Sequence, residues 1–169
     1  MATLDSCPFH PEGGCGLEKL GTYGRVEPAG TRIARWWCPR QGASISLLPS
    51  FLAARLTGTL DAIEAVVAKV EAAGSVAAAV DAVHPPDAGD PIGLVCALRS
   101  MRRRLSAVRA ALLAIATLMP ERFEGVLPTL SSFRERLGTP HVLVVVREVA
   151  ERYLGALPVP LGFHARASA

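Results

Sequence analysis

Residues 91–119 read PIGLVCALRSMRRRLSAVRAALLAIATLM, and this stretch decides the fold. Leu94, Leu98, Met101, Leu105, Val108, Leu112, Ile115 and Met119 recur at steps of four and three without a break. That is the spacing of one face of a long helix. Pro91 suits the first helical position, where a missing N–H costs nothing, with Asp90 before it as cap. Pro120 ends the run, because a proline ring cannot continue a helix. The same stretch carries Arg99, Arg102, Arg103, Arg104 and Arg109 and no acid from 91 to 120. On a helical wheel Arg99 and Arg103 lie opposite the leucine stripe, and Arg102, Arg104 and Arg109 flank it. A helix packed on its leucine side turns these guanidinium groups outward, where they suit DNA phosphates and the guanine edge. The plainer alternative is a solvated charged face, or arginines paired with acids of a neighbouring helix.

The chain before this helix is of opposite charge. Residues 51–90 hold two basic and six acidic side chains, so charge is segregated on a protein whose net charge is only +3. Leu52, Leu56, Leu60, Ile63, Val67 and Val70 share a helical face, with Ser50 as expected N-cap and Gly74 as the stop. Ser75 opens a second helix to about Val83, halted by His84-Pro85-Pro86, and 87–91 is a loop. Residues 75–119 therefore have the layout of a helix-turn-helix with a long turn. Beyond Pro120, Leu127–Leu137 predicts a short helix closed by Gly138, with Thr139 and Pro140 as cap and first turn of the next. Val142–Val146 is β-branched enough for a strand. Leu143, Val146, Val149, Ala150, Tyr153 and Leu157 nevertheless share a face, and a helix to about Leu157 is expected.

Residues 1–50 differ in kind. They hold three of the four cysteines, seven glycines and both tryptophans. Thr22–Val26 and Arg32–Trp37 predict a short hairpin around Glu27-Pro28-Ala29-Gly30. Cys7, His10, Cys15 and Cys38 are the ligand types of a tetrahedral zinc site, with close spacing between the first three. A structural zinc ion, the expected cofactor, would explain how so small a core folds. The alternative is four ordinary reduced residues, since Gln41 stands where a regular ribbon has its last cysteine. Cys96 is read as a core residue, and Trp36 and Trp37 as packing residues.

Gly21-Thr22-Tyr23-Gly24-Arg25, Thr31–Pro39 and Ser44-Ile45-Ser46-Leu47-Leu48-Pro49-Ser50-Phe51-Leu52 resemble the N-terminal zinc-ribbon region of bacterial insertion-sequence proteins, often transposase-related. The resemblance covers about the first 60 residues well. It implies a ribbon, a basic hairpin including Arg32 and Arg35, and helices of helix-turn-helix type behind them. His10 and Gln41 depart from its cysteine pattern.

Other classes have little support in the sequence. The longest apolar stretch, Ala110–Pro120, falls well short of the roughly 20 residues a membrane span needs. Met1–His10 has no basic start followed by an apolar run, so no secretory signal is expected and a cytoplasmic location is. No run of strands after residue 50 can carry a carboxylate-metal centre, and Asp81, Asp87, Asp90, Glu121 and Glu124 sit where helix capping explains them. His84, His141 and His164 suggest no catalytic pairing. The expected fold is mainly α: a zinc-ribbon-like region with a short β-hairpin over 1–50, then a helical domain over 51–169 with a helix-turn-helix-like segment at 75–119. The expected function is DNA binding without catalysis, with Arg99, Arg102, Arg103, Arg104, Arg109, Arg32 and Arg35 as contacts. The alternative is a helical interaction module, in which the leucine stripe serves as a homodimer seam.

Overall fold

A computed structural model describes residues 4–83 and 91–162. The chain divides into two compact units, one ending at Leu52 and one beginning at Ala53. The first holds a three-stranded antiparallel sheet in the order β1 (Glu18–Gly24), β2 (Arg32–Cys38) and β3 (Ala43–Leu47). Ile33 faces Tyr23 across β1–β2, and Trp36 faces Ile45 across β2–β3. The expected hairpin is present as β1 and β2, with β1 at Glu18–Gly24 instead of Thr22–Val26, and β3 extends it to a sheet. Ala43, Ile45 and Leu47 alternate with exposed Ser44 and Ser46, the two-residue period of a half-buried strand. Trp36 is buried in this unit.

The second unit is helical: α1 (Leu60–Ala73), α2 (Val76–Asp81), α3 (Pro91–Leu118), α4 (Pro120–Phe123), α5 (Leu130–Leu137) and α6 (Val142–Val149), followed by a 3-10 turn at Glu151–Tyr153. With 46% of the chain helical and a complete sheet in front, the mainly-α expectation holds only in part. The stripe of α3 turns inward. Val108, Leu112, Ile115 and Met119 enter the main core with Leu60, Ile63, Val67, Phe123, Phe133, Leu143 and Val146. Leu94 and Leu98 are half-buried against Val76 and Val80 of α2. The stripe is therefore a core face from Met101 onward.

Several expectations need correction. The first helix starts at Leu60, not after Ser50: Thr59 is the cap, its Oγ1 accepting from Ala62 N at 3.0 Å. Leu52 and Leu56 are buried from a turn in which Arg55 and Gly58 both have positive φ, and no helix passes through such backbone. Cys96 is exposed, because between Ile92 and Ser100 α3 has no buried residue. The cap of α6 is His141 rather than Thr139, and α6 ends at Val149, short of Leu157. α5 begins at Leu130, three residues later than expected, with Thr129 as its cap, and is closed by Gly138 as expected. The loop at 87–90, the Asp90 cap, His84 and His164 lie outside the described residues.

Arg55 has φ of 55°, a left-handed conformation that costs a side-chain-bearing residue about 1 kcal/mol. Glycine relieves that strain but adds unfolded-chain freedom of similar size. Arg55→Gly is expected to leave the thermal midpoint unchanged or slightly raised. A fall of several degrees would show that the arginine side chain holds the turn together.

Candidate metal centre and basic helix

Cys7, His10, Cys15 and Cys38 come together, with one ligand atom from each and all four within 4.8 Å of one another. Local turns build the cluster. His10 N donates to Cys7 O at 3.0 Å and Gly13 N to His10 O at 2.9 Å, two tight turns in succession. Gly13, Gly14 and Gly16 have φ of 86°, 74° and 67°, so the backbone around Cys15 takes a left-handed course that glycine adopts without a Cβ penalty. Cys38 arrives as the last residue of β2. All three cysteines are buried, with Leu17 and Ile45 packed against them.

The nitrogen–sulfur distances are compatible with a metal centre. His10 Nδ1 lies 3.7 Å from Cys7 Sγ and 3.5 Å from Cys38 Sγ. With metal–sulfur and metal–nitrogen bonds of about 2.3 and 2.0–2.1 Å, the nitrogen–sulfur edge of a tetrahedron is about 3.6 Å. Three sulfurs and one imidazole nitrogen thus form a closed four-ligand set that can hold a metal ion, with Nδ1 facing the sulfurs. Cys15 supplies the fourth position, and Gln41 is exposed outside the set. Burial pushes the Cys7 thiol up, but hydrogen bonds from His10, the Phe9 backbone, Cys15 and Cys38 outweigh it and bring Cys7 down to about 6. Cys15 is pushed up, by burial first and then by Cys7 and Cys38. One thiol is thereby poised as the thiolate that metal ligation requires.

Comparison with family models, with curated proteins and with solved structures yields no match.

On α3, Arg99, Arg102, Arg103 and Arg109 are exposed and Arg104 is half-buried. Among the described residues none of the five takes part in an ion pair, whereas acids of α1 meet Arg134 and His141. The acids of α1, which the alternative reading offers as partners for these arginines, are used elsewhere. Asp61 Oδ1 meets His141 Nδ1 at 3.0 Å. Glu64 accepts from Arg134 Nη2 at 2.9 Å and Leu143 N at 3.0 Å. Glu71 accepts from Leu130 N at 3.0 Å and Ser131 N at 3.2 Å. Glu71 and Glu64 thus satisfy first-turn N–H groups of α5 and α6 respectively, where negative charge is favoured. Arg32 and Arg35 belong to the sheet and are engaged there. Arg32 Nε donates to Thr22 Oγ1 at 2.8 Å; Arg35 donates to Ser44 Oγ at 3.3 Å and lies 5.6 Å from the Tyr23 ring centre. Among the described residues no helix is long and apolar enough to cross a membrane.

Proposed function

We propose that this protein is a zinc-stabilised, non-catalytic DNA-binding module, of the kind found in the DNA-recognition part of a transposase. The single observation that carries the reading is the outer face of α3. Four exposed arginines project there while the nearby acids of α1 are committed to α5 and α6. Guanidinium groups without an ion-pair partner among the described residues, along about three turns of helix, match the regular charge of a phosphate backbone. α2 and α3 are the pair in which the helix-turn-helix would lie, with α3 as the recognition helix. The metal centre takes a supporting part. Cys7, His10, Cys15 and Cys38 would hold zinc in a closed set, so that it supplies fold rather than Lewis-acid chemistry.

Salt dependence tests the proposal. Four arginines each neutralising a phosphate give a slope of about −3.6 for log K against log salt. Arg102→Gln with Arg103→Gln should bring the slope to about −1.8 and leave the thermal midpoint unchanged, because both side chains are exposed. Binding that ignores salt, or a double variant that binds like wild type, would sink the reading.

A second reading, a helical interaction or homodimerisation module, draws on Ile92, Val95 and Leu113, which are 76%, 53% and 56% exposed on the same outer side of α3. Sedimentation equilibrium separates the two: Leu113→Glu should shift mass under this reading and leave it unchanged under the first.

A further inference from the structure

A cleft of about 290 Å³ lies in the helical unit, between α3 and the Pro158–Val159 segment. Its α3 wall follows from helical spacing. Arg103, Ala107 and Ala110 succeed one another at steps of four and three, so small side chains form the floor below a guanidinium. The facing wall is Leu56, Pro158 and Val159, all apolar. Arg55 lines the cleft as well, and it is held there. Ala53 N donates to Gly58 O at 3.3 Å, and Ala54 N to Pro160 O at 2.9 Å, which ties the Arg55 turn to the opposing segment.

Two features set this cleft apart from a casual surface groove. It has two arginines in its lining and no acid, and neither arginine has an ion-pair partner among the described residues. Arg55 also takes a left-handed φ of 55° where glycine or asparagine would sit without strain. Strained non-glycine residues persist where the surrounding structure overdetermines them, and they cluster at ligand sites. An apolar floor with a few convergent charged groups is the usual make-up of a small-molecule site, and this volume lies at the lower end of that range.

We propose that this cleft binds a small aliphatic anion, its hydrocarbon body on Ala107, Ala110 and Val159 and its carboxylate or phosphate between Arg55 and Arg103. Planar guanidinium groups favour such oxyanions over neutral heads. The volume far exceeds the space that one water molecule needs, so a short aliphatic body can be accommodated. The inference stands apart from the DNA reading, because it needs only Arg103 of the α3 arginines, together with Arg55 from another element.

Calorimetric titration of the full chain with octanoate tests it, with octyl phosphate and neutral octanamide alongside. The expected result is saturable one-to-one binding of at least one of the two anions, with octanamide at least tenfold weaker. The tighter anion then names the head group. Arg55→Gly and Arg103→Gln should each weaken that anion at least tenfold. Ala110→Leu, at an exposed position, should block it by filling the floor. Thermal midpoints taken on the same variants show that each remains folded. Duplex binding by Arg55→Gly and Ala110→Leu should equal wild type, which keeps a failure here distinct from a failure of the DNA reading. The inference is overturned if neither anion binds, if octanamide binds as well as the anions, or if the folded arginine variants bind like wild type.

Discussion

Cys38→Ser is expected to abolish metal binding and to unfold the sheet unit while the helical unit keeps its structure. Wild-type protein, purified without added metal, should carry about one zinc ion per chain. The argument is one of core size. Among the described residues, the buried cluster around the site consists of Cys7, Cys15 and Cys38, with only Leu17 and Ile45 packed against it. Beyond that cluster the unit's buried apolar side chains among the described residues are Ile33, Ala34, Trp36 and Leu52, still too few for some fifty residues to offset their chain entropy by burial alone. Structural zinc supplies an apparent 10–16 kcal/mol to peptides of comparable size at neutral pH, enough to decide whether such a unit folds. Cys7→Ser should behave alike, since Cys7 and Cys38 are the two sulfurs on either side of His10 Nδ1. Gln41→Cys should change neither metal content nor stability, because the four-ligand set is complete without it. Metal analysis with amide spectra of both units reads the result. A folded sheet unit with no metal in wild type would reduce the cluster to buried thiols and remove the zinc from the proposed function.

How much of this was legible in the sequence depends on the range of the interaction. The length and inward face of α3 follow from an eight-member stripe, which is local information. How deeply its start is covered is not local: Leu94 and Leu98 are only half-buried in the small cluster with α2, so Cys96 looked buried and is not. The start of α1 was misread because Leu52 and Leu56 keep helical spacing by coincidence, each buried from a turn. Gly58 with Thr59 was the available signal for the true boundary. Ala43–Leu47 also carried a readable strand alternation. Cys15 as fourth ligand was open on spacing alone, and the left-handed glycines beside it settle the course of the chain. The roles of Glu64 and Glu71 were out of reach. Their partners lie 59 to 79 residues away, and nothing in a helical period says which distant helix end a carboxylate will meet.

Those carboxylates yield the second large effect. Glu64→Ala is expected to destabilise the helical unit by about 3 kcal/mol, a large part of the 5–15 kcal/mol typical of a domain. Glu64 is only 3% exposed yet holds two partners at once, Arg134 Nη2 and Leu143 N. Alanine leaves the Leu143 N–H buried without an acceptor, at about 1–3 kcal/mol, and removes a charge-assisted bond from Arg134. The cost stays below the extreme for a broken buried pair, because Arg134 is 39% exposed and its guanidinium can turn to water. Glu64→Gln separates the two contributions. The amide oxygen still accepts from Leu143 N, so about half the loss should remain. Along the same helix the order is set by burial. Glu71→Ala, which frees two N–H groups at the start of α5, should cost about 1 kcal/mol, as removal of an N-cap does. Asp61→Ala, in an ion pair with both side chains more than half exposed, should cost less than Glu71→Ala. Urea titrations of the three alanine variants read this order directly. Equal losses at Asp61 and Glu64 would mean that α1 anchors α5 and α6 through surface charge instead of through a buried carboxylate.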